Sequence, residues 1–308
     1  MIKINKGTFQ LKAQDEKELF VYRWLPERNT CQAIIQIAHG MAEHAGRYEE
    51  FAKSMVKEGY ALYANDHRGH GRTAKSMEER GVFADKGGWD IVVEDMYQLT
   101  KHIKEQWPGK PIILLGHSMG SLLTRHYISL YGGGIKAVIL SGTSGQHGLI
   151  LDVGRNLAKI ECTLRGKRYK SVLLNKLSFG SFNIKFEPAR TEFDWISRDE
   201  KAVDNYIQDP YCGGIFSCGF FYDLLTGLKT INNKKLIHSI PKDLPILFIS
   251  GEKDPVGNNT KDVLHVIQTY KEAGIKNIDY HFYQDARHEL LHELNKEEVI
   301  EDIKSWLL

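Results

Sequence analysis

Cysteine is scarce in this chain: four residues in 308, Cys31, Cys162, Cys212 and Cys218, with no C-x-x-C spacing among them. That density excludes a disulfide framework, and the four are expected to be ordinary reduced thiols. An excess of one charge is also missing. Lys plus Arg number 41 against 39 for Asp plus Glu, too even a balance to supply the positive field that sequence-independent nucleic-acid binding requires. No apolar run reaches the length of a membrane span, and the opening "MIKINKGTFQLKAQDEKELF" carries charges every few residues, where a secretory signal would be continuously apolar. The expectation is a cytoplasmic protein that binds no nucleic acid. Internal repeats and low-complexity linkers are absent as well.

The chain does have ample material for a buried core, with 42% hydrophobic residues. Two alternating segments, "GTFQLKA" and "ELFVYRWLP", predict an antiparallel hairpin. Apolar strands then alternate with amphipathic helices: "AIIQIAHG", "ALYAND", "PIILLGHS" and "KAVILSG" are strand-like, and "GRYEEFAKSMVKEGY", "WDIVVEDMYQLTKHIKEQW" and "SLLTRHYISLY" have helical spacing. That rhythm predicts an α/β fold, a mostly parallel sheet covered by helices on both faces. It breaks after Ser141, where about a hundred residues show several helices and little strand signal. It returns at Pro245 with "PILFISG", "TKDVLHVIQTYKEAG", "IDYHFY" and "NKEEVIEDIKSWLL". The break is therefore read as an insertion within one fold.

The strongest chemical signal is G-x-S-x-G, formed by Gly116, His117, Ser118, Met119 and Gly120 between an apolar strand and a helix. A serine on so sharp a strand-to-helix turn is strained, and the flanking glycines prevent clashes between turn, strand and helix. Its hydroxyl is a weak nucleophile that needs a base and a group to orient that base. Asp254 follows a late strand and His288 follows the next, giving the order Ser, Asp, His. Asp285 is a fallback acid, although its place three residues before His288 suits it to shaping that loop. Two backbone donors for an oxyanion are expected at Met119, after the nucleophile, and at Met41, after His39 and Gly40 in the loop that begins "AHGMAEH". His39 is read as a residue that holds this loop.

Together "HGMAEHAGRY", "NDHRGHGRT", "GHSMGS", "SGEKDPV" and "DARHELLHE" resemble the monoacylglycerol lipase and lysophospholipase branch of the α/β-hydrolase superfamily. The resemblance implies an eight-stranded, mostly parallel sheet, with residues 1–143 and 242–308 as the hydrolase core and 144–241 as a helical cap over the site. It implies Ser118 as nucleophile, Asp254 and His288 as its partners, and the Met41 and Met119 amides as oxyanion donors, supported by Gly40, Gly116 and Gly120. No metal or organic cofactor is implied.

"HELLH", from His288 to His292, also matches the zinc motif H-E-x-x-H. A catalytic zinc needs a third protein ligand. The metzincin positions hold Asn295 and Glu298 in place of Gly and His, and a glutamate about twenty residues further on would run past Leu308. His288 is therefore assigned to the serine reaction, with Leu290 and Leu291 facing inward at the start of an amphipathic helix and His292 packing or at the surface. Asp66, His67, Arg68 and His70 are read as an ordered loop beside the site. Arg155, Lys159, Arg165, Lys167, Arg168 and Lys170 read as a solvated face, with transient contact to a membrane or lipid aggregate as the alternative. The expected function is hydrolysis of lipid-like monoesters. The rivals are an aminopeptidase or amidase of the same fold and a non-catalytic binding protein, and nothing in the sequence speaks to oligomeric state.

Overall fold

The computed structural model describes residues 4–27, 31–145 and 148–308. Its centre is one eight-stranded sheet in the order β1-β2-β4-β3-β5-β6-β7-β8. The strands are β1 (Asn5–Lys12), β2 (Glu18–Leu25), β3 (Ala33–Ala38), β4 (Tyr60–Asn65), β5 (Ile112–His117), β6 (Ala137–Ser141), β7 (Ile246–Gly251) and β8 (Ile278–Tyr283). β1 pairs antiparallel with β2, β2 antiparallel with β4, and all other neighbours are parallel. The predicted hairpin and parallel sheet are both present.

Burial explains the continuous apolar runs. Every residue of β3, β4, β5, β6 and β7 is buried, as a parallel strand covered on both faces requires. Successive side chains go to opposite faces. Ile34, Ile112 and Leu114 join the core under α2 (Gly88–Gln106), α3 (Met119–Tyr131) and α9 (Lys261–Glu272), whereas Ile35, Ile37, Ile113 and Leu115 pack with α1 (Glu49–Lys57) and α10 (Lys296–Leu307). Among the described residues no helix is long and apolar enough to cross a membrane.

Between β6 and β7 run α4 (Gly148–Arg165), α5 (Val172–Phe179), α6 (Glu200–Gln208), α7 (Cys218–Ile231) and α8 (Lys234–Ser239), with short 3-10 turns at Ile184–Phe186 and Asp194–Ile196. This segment is not uniform. Phe220, Phe221 and Leu228 of α7 share the main core with Trp89 of α2, while Ile196, Val203 and Tyr206 form a small separate cluster. The four thiols are free, with Cys162 and Cys218 Sγ atoms 3.2 Å apart.

β4 pairs on one side of β3 and β5 on the other, so the connections diverge between β3 and β5. Ligands of open α/β sheets bind at the carboxyl ends of strands flanking such a switch point. The register pairs Ala38 with Gly116, which sets the loop after β3 directly beside the turn after β5. Space there is minimal: a Cβ on Gly120 would lie 2.0 Å from the Ala38 carbonyl oxygen, and one on Gly116 would lie 2.4 Å from Thr124 Oγ1. Gly120→Ala is therefore expected to lose about 4 kcal/mol or more of stability, because backbone must move to admit one methyl; chemical denaturation of the variant beside the parent protein measures it.

Candidate active site

Ser118 caps α3 with φ 52° and ψ −120°, a region that a non-glycine residue enters only when its surroundings enforce it. Its amide donates to the Ser141 carbonyl of β6 at 2.9 Å, and its carbonyl accepts the Ser121 and Leu122 amides. The turn is thus bonded on both sides. The serine is partly exposed although its neighbours are buried. Met119, the first residue of α3, offers one of the helix amides that have no intrahelical partner.

β7 and β8 deliver the other two candidates to the same edge. Asp254 is fully buried and accepts the His288 Nδ1–H at 2.9 Å through Oδ2, while its Oδ1 accepts the Val256 amide at 2.9 Å. With Nδ1 donating, the neutral ring carries its lone pair on Nε2, the tautomer a base needs. Burial alone would lower the His288 pKa, but the Asp254 charge and hydrogen bond outweigh it and raise it above the ordinary imidazole value. Gly142, φ 56°, admits this pair: a Cβ there would lie 3.0 Å from His288 Cε1 and 3.4 Å from Asp254 Oδ2. His117, next to Ser118, packs against the His288 ring with centroids 4.7 Å apart. Asp285 sits apart from this group, exposed on a positive-φ turn 4.0 Å from Lys253.

The loop after β3 lies against the serine, since a Cβ on Gly40 would stand 3.2 Å from the Ser118 Cβ. His39 holds this loop from below, donating from Nδ1 to the Gly40 carbonyl at 2.8 Å and accepting the His67 amide on Nε2 at 2.9 Å. Burial lowers its pKa and keeps it neutral. Asp66 ties the "NDHRGHGRT" loop to the same place, accepting the Ala45 amide at 2.9 Å and the Arg72 amide at 2.7 Å. Met41, one residue beyond Gly40, packs against the main core.

Sequence reasoning missed a buried ion network around these loops. Glu43 Oε1 accepts the Gly40 amide at 2.5 Å and the Tyr48 hydroxyl at 2.9 Å. Arg47 joins Glu43 at 2.8 Å and grips Glu289, the neighbour of His288, with both guanidinium nitrogens at 2.7 and 2.6 Å. Burial would raise the Glu43 carboxyl, but Arg47, with His117 and His39 nearby, holds it well below the usual carboxylate range. His292 borders this network, its pKa pushed down to about 4 by burial and then by Arg47. The signal was present as "EHAGR", where Glu43 and Arg47 stand four apart, but nothing local paired them with Glu289.

"HELLH" does not form the helix its zinc reading needs. His288 lies in a loop with Nδ1 engaged by Asp254, and Leu290–His292 is a 3-10 turn; the amphipathic helix begins only at Lys296. The helix start expected at "HELLH" is thus absent, whereas the helix expected over "NKEEVIEDIKSWLL" is present, and Leu290 and Leu291 are buried as anticipated. Helical i, i+4 spacing does not bring His288 and His292 to one face.

Residues 29–295 match the family described as serine aminopeptidase S33. The chain belongs to that hydrolase family. This S33 chain is 28% identical over 291 residues to a monoacylglycerol lipase of Mycolicibacterium smegmatis, covering 92% of this chain and 91% of the relative. It is 28% identical over 298 residues to monoglyceride lipase of Rattus norvegicus, covering 95% and 88%. A thermostable carboxyl esterase from Bacillus coagulans, solved in complex with glycerol, superposes with a TM-score of 0.91 at 27% identity, over 99% of this chain and 98% of that one. The fold of this S33 chain is the α/β-hydrolase fold.

The Arg47 side chain is only 9% exposed, Glu43 3% and Glu289 6%, so removing the cation strands two buried carboxylates. Arg47→Met is expected to lose about 3–5 kcal/mol at neutral pH. The deficit should narrow as pH falls toward 4, because unpaired buried acids hold protons that the unfolded chain releases. Urea denaturation at pH 8 and pH 4.5 reads both effects.

Proposed function

We propose that the chain is a serine carboxylic-ester hydrolase acting on lipid-like monoesters of small polar alcohols, a monoacylglycerol or lysophospholipid. The observation that carries this reading is the strained, partly exposed Ser118 at the sheet edge, with the Gly40 loop against it and the buried Asp254–His288 pair stacked on its neighbour His117. Ester chemistry is supported by relatives named as monoacylglycerol and monoglyceride lipases and by a similar esterase that holds glycerol. We assign residues 1–143 and 242–308 to the hydrolase core and 144–241 to a cap, and we place the protein in the cytoplasm.

In this mechanism His288 Nε2 takes the Ser118 proton as Oγ bonds to the ester carbonyl carbon. The carbonyl electron pair moves to oxygen, where the Met41 and Met119 amides receive it, each such donor contributing roughly 2.7–4 kcal/mol. Asp254 stabilises the imidazolium. His288 then protonates the leaving alcohol, and a water activated by the same histidine clears the acyl-enzyme.

Contact with lipid aggregates is supported by an apolar stripe on the cap. Ile150, Val153, Ile160 and Leu164 of α4 are 80%, 67%, 56% and 77% exposed, and Val172, Leu173 and Leu177 of α5 are at least half exposed. Single exposed hydrophobes need no explanation, but a stripe at helical spacing marks an interaction surface. The basic stretch beside it is largely engaged within the protein: Lys167 bonds the Asp85 carbonyl, Arg168 the Asp85 carboxylate, Lys170 the Arg80 carbonyl and Arg165 the Tyr169 hydroxyl. That favours a neutral headgroup. The aminopeptidase reading has the family description behind it, yet a substrate amine wants an unpaired carboxylate, and Glu43, Glu289 and Asp209 are already partnered by Arg47 and His44. Cleavage of aminoacyl-coumarin amides faster than of esters would favour the peptidase.

Two measurements test the ester reading. Fatty-acid release from a monoacylglycerol is expected to exceed that from a lysophospholipid with the same acyl chain, with Ser118→Ala at least about a thousandfold slower on both while folding normally. The pH profile of kcat/KM is expected to fall on the acid side through a pKa above 6.5, because a protonated His288 accepts nothing. Asp254→Asn removes the carboxylate that raises that pKa, so it should move this limb to lower pH and cut turnover on the order of 10⁴-fold.

A further inference from the structure

One stretch of the insertion is fastened to the loop of His288 on both sides of that residue. Before it, the Arg287 guanidinium bonds the Asp194 carbonyl and, at 3.2 Å, the Ser197 carbonyl. After it, the Glu289 amide donates to the Ile196 carbonyl at 2.7 Å and the Ser197 hydroxyl to the His292 carbonyl at 2.8 Å. Arg198 closes the strap on Glu293 Oε2 at 2.9 Å and Asn295 Oδ1 at 2.7 Å. Inside this strap Trp195 packs its indole on the His288 imidazole, ring centroids 5.2 Å apart and planes at 37°. Trp195 is itself held in place, with its amide donating to Asn183 Oδ1 at 2.9 Å and the Phe182 ring edge-on at 5.0 Å.

We propose that Trp195 is a positioning residue for the general base: the strap 194–198 fixes the His288 loop, and the indole face stabilises the imidazolium that forms when Ser118 gives up its proton. The inference rests on the assignment of His288 as base. An aromatic face within about 6 Å attracts a cation far more than a neutral ring, so the contact strengthens as the proton moves from Ser118 Oγ to His288 Nε2. Interactions that appear only in the transition state raise kcat and leave substrate binding alone.

The charged and titratable groups around His288 divide the labour. Asp254 faces it from the loop after β7, His117 from the end of β5, Glu43 from the loop after β3 and Glu289 from its own turn. Both glutamates are paired with Arg47, whose single charge offsets one of the two, and His117 is kept neutral, its pKa pushed down to about 4 by burial and by His288. Asp254 therefore supplies the one carboxylate bonded to His288, the Glu43–Arg47–Glu289 cluster adds a weaker negative field, and Trp195 adds a contact without adding charge.

The experiment compares Trp195→Leu and Trp195→Phe on p-nitrophenyl acetate, whose short acyl group makes the least demand on the cap. Trp195→Leu is expected to lower kcat about fivefold to tenfold with KM within twofold, and Trp195→Phe to retain at least a third of kcat. A kcat unchanged in Trp195→Leu, or as low in Trp195→Phe as in Trp195→Leu, would overturn the proposal. Fluorophosphonate labelling of the unmodified protein separates the two assignments: absence of labelling sinks the serine-hydrolase reading itself, whereas normal labelling with an unaltered Trp195→Leu kcat sinks only this inference. A second readout does not depend on the leucine variant folding. Tryptophan emission of the parent protein minus that of Trp195→Phe should change with pH along the same limb as kcat/KM, and a flat difference between pH 5 and 9 would also overturn the proposal.

Discussion

The backbone of Ser118 is the constraint on which the rest of this structure depends. A non-glycine residue at φ 52° returns to an ordinary conformation unless bonds and packing on every side forbid it. Here β6 holds the serine amide, α3 begins on its carbonyl, and the two flanking glycines stand where no Cβ fits between β3, β5 and α3. The strain is affordable because it sits in the middle of a sheet whose central strands are buried along their whole length. The same close approach that requires Gly120 also brings the β3 loop against Ser118, so the packing that strains the serine also sets Gly40 beside it.

Electrostatics around that turn follow one rule: charge is either paired tightly or absent. Glu43, Arg47 and Glu289 form a buried network, and removing one member would cost more than the network contributes, since the others would be left as uncompensated ions. His39, His117 and His292 are instead held neutral by burial. Against that background the raised pKa of His288 stands out, and its main cause is the carboxylate of Asp254 at 2.9 Å, to which Glu289 and Glu43 add. A site built this way gives His288 one bonded carboxylate and a surrounding field that also favours its protonated form.

Much of this was legible in the sequence, because the signals were local. Strand and helix periods gave the α/β rhythm, the G-x-S-x-G turn gave the position of Ser118, and strand ends gave Asp254 and His288. What stayed hidden required partners far apart in the chain. Arg47 and Glu289 are 242 residues apart, and Trp195 lies in a stretch whose composition distinguishes no residue from its neighbours. "HELLH" misled for a related reason. Its two leucines are buried whether the segment is α-helical or a 3-10 turn, so burial pattern alone could not show that this stretch stands outside the helix that follows it.

The inserted segment looks like two parts with different attachments. Residues 194–198 are bonded to the His288 loop, α6 reaches the β3 loop through the Tyr206 hydroxyl on the Ala42 carbonyl, and α7 is embedded in the main core. These parts cannot swing away without dismantling the loops they hold. α4 and α5 differ in their outer side, which carries the exposed apolar stripe, while Leu151, Ala158 and Leu174 pack their inner side into the main core. The surface proposed to meet lipid and the strap proposed to align His288 therefore lie on different elements of the insertion.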